Sequence, residues 1–153
     1  AGRSRRDPGQ GEGGARGRFG APTVDAVPEA PKVSLPETAA WRMPAGGGWH
    51  YGGLSGDYNP LHAEPAIGRA AGFERPILHG LCTFGIAGWA ITKRLCDGDP
   101  SRLASIETRF SSPVYPGETI RTEMWADGKT VSFRARVVER DVVVLNNGRA
   151  TLR

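Results

Sequence analysis

The chain has 153 residues, 39% hydrophobic and 8% aromatic, with a formal charge of +4. That length supports one domain whose core needs no disulfide or metal staple. The charge bias is modest, no apolar run approaches the ~20 residues of a membrane helix, and the first residues hold no apolar signal core.

Residues 1–36 carry glycine and proline throughout and show no periodicity, which predicts a disordered or extended linker arm. Arg3, Arg5, Arg6, Arg16 and Arg18 make that arm basic. Such a cluster can touch an acidic partner, but its composition is first that of a solvated linker. The folded domain is expected over 37–153. ETAAWRM reads as a first strand, PAGGG as a break, and WHYGGLSGD as a short, glycine-weakened turn or helix. A polar loop over 56–62 follows. Residues 64–73 read as a short helix, with Pro65 in its first turn and Gly72 near its stop.

From Gly80 to Cys96 the chain is apolar almost all round, the pattern of a buried helix. Gly85 and Gly88 fit that helix if a sheet presses closely on its backbone. Cys82 and Cys96 lie on it fourteen residues apart. Helical rise separates them by roughly 21 Å, too far for a disulfide. Two unpaired thiols suit a reducing compartment, and a cytoplasmic location is expected.

The last third reads as β-structure. Residues 102–110 alternate with Ala104, Ile106, Thr108 and Phe110 on one face, and Pro116-Gly117 signals a type II turn. Residues 119–126 present Ile120, Thr122 and Met124, and Asp127-Gly128 marks a tight hairpin. Val131, Phe133, Ala135 and Val137 then alternate, and a final strand is expected to bulge near Asn147-Gly148. The fold class is α+β: an antiparallel sheet wrapped around one long helix.

The chemistry concentrates in LSGDYNPLH, residues 54–62. In a loop, Gly56 and Pro60 permit a chain reversal that lets Asp57 and His62 converge. A carboxylate and an imidazole aimed at one point can hold a water, one taking its proton while the other delivers a proton to a substrate. Asn59 can bond the loop or the carboxylate and fix its orientation. Gly80, in LHGL, opens the apolar helix, so its N–H stands at the positive end of the helix dipole, where it can meet a developing oxyanion. Taken alone, an Asp-x-Asn-Pro run is usually just a turn. His79, just before the helix, reads as a structural or capping residue. The spacing of cysteines and histidines fits no metal-ligand set, and no glycine run precedes a phosphate-binding helix.

The string YGGLSGDYNPLHAEPAIGRAAGFERPILHG, residues 51–80, resembles the signature of the MaoC-like, or hydratase-2, family of (R)-specific enoyl-CoA hydratases. The matching positions are Tyr51, Ser55, Gly56, Asp57, Asn59, Pro60, Leu61, His62, His79 and Gly80. The resemblance extends over roughly 37–153 and implies a hot-dog fold, with the sheet wrapped around the helix. It implies reversible syn hydration of a trans-2-enoyl thioester to the (R)-3-hydroxyacyl thioester. In that scheme Asp57 and His62 activate water, the Gly80 N–H polarises the thioester carbonyl, and Ser55, Asn59 and His79 support the site. No metal or dissociable cofactor is implied, because the CoA or acyl-carrier phosphopantetheine arm belongs to the substrate.

The chain is similar to the C-terminal, catalytic half of two-hot-dog relatives, and it begins in what resembles their connecting stretch. A second hot-dog domain, from a homodimer or a separate N-terminal half, is the expected partner, with neither nucleic acid nor membrane involved. The segment 41–53 is richer in glycine than the family pattern. Three other readings compete: a dehydratase acting on a carrier-bound polyketide or fatty-acid chain, a structural or acyl-binding subunit that needs a partner, and a thioesterase. The retained Asp57–His62 pair favours a catalytic domain over an idle one.

Overall fold

A computed structural model of the chain describes residues 37–42 and 47–153. The arm expected over 1–36 lies outside them. Strand β1 (Glu37–Arg42) leads to helix α1 (Gly47–Ser55), the polar loop, and short helix α2 (Pro65–Ala70). The long helix α3 (Gly80–Leu95) follows, then β2 (Leu103–Phe110), β3 (Thr119–Asp127), β4 (Thr130–Val137) and β5 (Val142–Leu152). The five strands form one antiparallel sheet in the order β1-β3-β4-β5-β2, and α3 lies against β1, β3 and β2. This is the hot-dog arrangement.

Burial explains why these segments pair. Val131, Phe133, Ala135 and Val137 of β4 are all buried, as are Ile120, Thr122 and Met124 of β3, so one apolar sheet face meets the helix. From α3, Cys82, Ile86, Ala87 and Ile91 complete that core. Removing these side chains from water is the main force holding the layers together. Turn chemistry sets the registers. Gly117 takes φ +96°, and the Glu118 N–H closes the turn on the Tyr115 carbonyl, as a Pro-Gly type II turn requires. The β3–β4 turn sits at Gly128 and Lys129, one residue beyond the expected pair, between partners Asp127 and Thr130. The bulge appears where expected. Asn147 takes φ +52°, and a Cβ on Gly148 would lie 2.6 Å from the Phe133 carbonyl oxygen.

Three expectations change. Helix α1 begins inside the glycine run, so Gly47 and Gly48 are helical and not part of a break. Helix α3 is not buried all round: Leu81 is 67% exposed and Trp89 50%, and with Gly85 they form an outward stripe spaced at i, i+4. No sheet presses on Gly85, where a Cβ would meet nothing within 4 Å, and at Gly88 it would make only an ordinary contact with Ile106. In β2, Ile106 and Thr108 are half-buried while Ala104 and Phe110 are exposed, because this edge strand is interrupted by two register shifts.

Two glycine substitutions should therefore move stability in opposite directions. Gly148→Ala drives a Cβ into backbone and is expected to lower unfolding free energy by about 2 kcal/mol. Gly85→Ala places a methyl in open space mid-helix and should raise it by about 0.5 kcal/mol or more. Urea unfolding followed by far-UV circular dichroism reads both.

Candidate active site

The loop after α1 is held by a staircase of side-chain bonds two residues long. The Asp57 N–H donates to Ser55 Oγ (3.3 Å), the Asn59 N–H to Asp57 Oδ1 (3.2 Å), and the Leu61 N–H to Asn59 Oδ1 (3.0 Å). Each short polar side chain thus caps the backbone two positions on, the behaviour that makes Ser, Asp and Asn turn formers. Asn59 N-caps the 3-10 turn Pro60–His62, so its side chain orders the loop, while its backbone N–H orients the carboxylate.

Helix α1 lies flat on this loop. A Cβ on Gly48 would meet the His62 carbonyl oxygen at 2.5 Å, and one on Gly52 would meet the Asp57 carbonyl oxygen at 2.9 Å. Positions 48 and 52 share one helix face, so the two glycines form a bare strip on which the loop backbone rests. This accounts for Gly48 and Gly52 in the glycine-rich segment 41–53, whereas a Cβ on Gly53 would meet nothing within 4 Å. The role of Gly48 and Gly52 went unread in the sequence, although glycines four apart on a helix are its signal.

The site histidines hold opposite tautomers. His62 Nδ1 lies 2.9 Å from the Ile77 carbonyl oxygen, which can only accept, so Nδ1 carries the proton and Nε2 presents a lone pair. His79 Nε2 lies 3.1 Å from the Asp57 carbonyl oxygen, so there Nε2 carries the proton. The two rings stack at 3.7 Å with 24° between planes, and Tyr51 packs on His79 at 4.8 Å. His79 occupies the N-cap position of α3 but makes no capping bond with its side chain, contrary to the capping role open to it in the sequence. Its Nδ1 is buried with no partner among the described residues. An unmet buried acceptor of this kind costs about 1–3 kcal/mol.

One ligand atom each of Asp57, His62 and His79 lies within 4.8 Å of the others. The approach of Asp57 and His62 is the one expected from the loop, and the arrival of His79 is what the sequence spacing does not disclose. As a ligand set the three fit a metal poorly: His79 Nε2 and His62 Nδ1 are committed to backbone carbonyls, and the remaining His79 nitrogen, Nδ1, is buried. All three line a recess of about 270 Å³ with Gly48, Gly52 and Asn59, and the Asp57 side chain is 52% exposed there. Gly80 does not line that recess. It begins α3 immediately after His79, and no acceptor meets its N–H among the described residues. A Cβ there would lie 3.2 Å from the Phe110 ring, which explains the glycine on steric grounds the sequence did not reveal.

On the other side of Gly80 an apolar groove of about 450 Å³ runs along the exposed stripe of α3, bounded by Trp41, Tyr51, Leu81, Cys82, Gly85 and Trp89. Burial pushes the Cys82 thiol up to about 11, so it contributes apolar surface and no thiolate. Cys82 and Cys96 are both buried and unpaired.

The chain belongs to the MaoC-like domain family, whose model matches residues 36–148. It is 54% identical over 92 residues to the peroxisomal enoyl-CoA hydratase 2 of Arabidopsis thaliana, covering 60% of this chain and 30% of that protein. It is 39% identical over 145 residues to the enoyl-CoA hydratase ChsH3 of Mycobacterium tuberculosis, covering 91% and 47%. A solved MaoC-like dehydratase from Phytophthora capsici superposes with a TM-score of 0.78 at 42% identity, over 82% of this chain and 42% of that one. The chain thus spans less than half the length of these relatives.

The tautomers are open to direct measurement. Long-range ¹H–¹⁵N spectra of the imidazoles, recorded where both rings are neutral, should show His62 protonated on Nδ1 and His79 on Nε2. Two rings in the same tautomer would contradict the hydrogen bonds described above.

Proposed function

We propose that this domain catalyses the reversible hydration of a trans-2-enoyl thioester to the (R)-3-hydroxyacyl thioester. The observation that carries the reading is that His62, committed at Nδ1 to the Ile77 carbonyl, shares one recess with the Asp57 carboxylate. The Gly80 N–H, which meets no acceptor among the described residues, opens α3 directly after His79 of that recess. His62 Nε2 takes a proton from a water held between it and Asp57 as the water oxygen attacks C3 of the enoyl group. A proton returns to C2 from the same pair. Both groups stand on one loop and so on one face of the double bond, which makes the addition syn. Charge builds on the thioester oxygen in the transition state. There the Gly80 N–H, at the positive end of the helix dipole, stabilises it.

The two cavities support a polarity for the bound substrate. His79 lines the recess and Leu81 lines the groove, so Gly80 stands at their junction. With the thioester carbonyl at Gly80 and C3 facing the Asp57–His62 pair, the acyl tail enters the apolar groove along α3. We infer that a second hot-dog domain covers this groove, which supports reading the chain as the catalytic half of a pair. The CoA or carrier-protein arm leaves toward solvent, and no metal or dissociable cofactor takes part. Among the described residues no helix is long and apolar enough to cross a membrane, and two unpaired thiols support the cytoplasm as the location.

Addition of the domain to crotonyl-CoA should remove the enoyl-thioester absorbance, and Asp57→Asn or His62→Ala should each slow that loss by about 10³-fold. Equal rates for either variant and the wild type would refute the assignment.

A further inference from the structure

We propose that His79 is a positioning residue, whose Nε2–H fixes the Asp57 carbonyl while its ring face fixes the plane of His62. The residue is 2% exposed and bears on both members of the catalytic pair. It donates to the backbone of the residue carrying the carboxylate, at 3.1 Å, and stacks on the residue presenting the base, at 3.7 Å. Its own place is over-determined: Tyr51 packs on it, and a Cβ on Gly52 would lie 3.7 Å from its Cε1 and Nε2. The nearest Asp57 carboxylate oxygen stands 3.9 Å from Nε2, beyond hydrogen-bond reach. His79 therefore acts through its neighbours and not on the reacting atoms.

The unpaired Nδ1 distinguishes this role from simple space-filling. A phenyl ring would fill nearly the same volume and stack on the same neighbours without burying an acceptor that nothing meets. A sequence selected at this position for stability alone has no reason to keep the imidazole. What the imidazole supplies, and a phenyl ring does not, is one donor at Nε2. Its partner is the carbonyl from which the Asp57 side chain springs. The two opposite tautomers follow as one arrangement: each ring gives its proton to a backbone carbonyl, His62 from Nδ1 and His79 from Nε2.

The inference rests on the hydration reading for its kinetic arm only. His79→Phe keeps the ring and removes the donor, whereas His79→Gln keeps an amide donor and removes the ring. Three quantities are measured on the whole chain: kcat and KM with crotonyl-CoA, the thermal midpoint, and the imidazole ¹⁵N spectrum of His62. For His79→Phe the midpoint should hold or rise, kcat should fall about 100-fold, and KM should change by less than about threefold. His79→Gln should recover roughly a tenth of the lost rate or more by restoring the bond to Asp57. The His62 signals should hold in His79→Phe, which keeps the stacked ring, and shift in His79→Gln, which removes it. A kcat within about threefold of wild type in His79→Phe overturns the proposal. So does a loss of rate in His79→Phe that merely tracks a falling midpoint, or a His62 spectrum unmoved in His79→Gln. If the wild type hydrates nothing, the spectrum alone decides: a His62 displaced in His79→Gln upholds the positioning role while the hydration reading falls, and one unmoved there overturns it.

Discussion

The candidate site depends on one close approach, that of helix α1 to the loop that follows it. Gly48 and Gly52 present bare backbone to the carbonyls of His62 and Asp57, at distances a side chain would forbid. Because α1 lies so low, the loop cannot lift away. Its two ends, five residues apart, are pressed toward the start of α3. The entropy that would otherwise let Asp57 and His62 wander is removed by packing and by the Ser55–Asp57–Asn59 staircase, before any substrate arrives.

The opposite wall is held as firmly. The Leu78 N–H donates to the Val114 carbonyl at 2.7 Å, and Arg75 Nη1 to the Pro116 carbonyl at 2.9 Å, so the strand entering α3 is stitched to the turn before β3. That turn has its own anchor. Glu118 is buried, accepts the Tyr115 N–H and pairs with Arg140, while Arg75 and Arg140 flank the Tyr115 ring at 4.9 and 5.0 Å. A buried carboxylate needs such partners, since an uncompensated charge there would be strongly destabilising. The pair lowers Arg140's tendency to lose its proton still further. Ile77, whose carbonyl sets the His62 tautomer, lies within this stitched segment, so the proton on Nδ1 is traceable to contacts on the far side of the sheet's end.

How far the sequence disclosed this follows from the range of each interaction. Strands, the Pro116-Gly117 turn and the bulge at Asn147-Gly148 are set by residues within a few positions of one another, and periodicity with turn chemistry recovers them. The Asp57–His62 loop is legible for the same reason: its residue types form a local hydrogen-bonded staircase. The glycines of α1, the ring of Phe110 over Gly80 and the bond from His79 to Asp57 join segments that the chain alone does not show to be neighbours. At these places a local rule gives the wrong reason for a residue. Glycine in α1 looks like weakness when it is a contact surface, and His79 before a helix looks like a cap when it is a donor to another loop.

The outward stripe of α3 is the converse case. Periodicity shows only that the helix is apolar, and an apolar helix is not a buried one on every side. Leu81 and Trp89 are instead exposed along a groove that begins beside the candidate site. An exposed apolar stripe on a helix that already has a full core is not required by folding, and Gly85 within it sacrifices helix propensity without relieving any clash. Both features lose their strangeness if the groove is occupied when the domain works. On the proposed reading the same helix serves three ends at once. Its inner face packs on the sheet, its N-terminus offers the proposed donor for charge on a thioester oxygen, and its outer face offers the proposed acyl tail a surface that water alone would not favour.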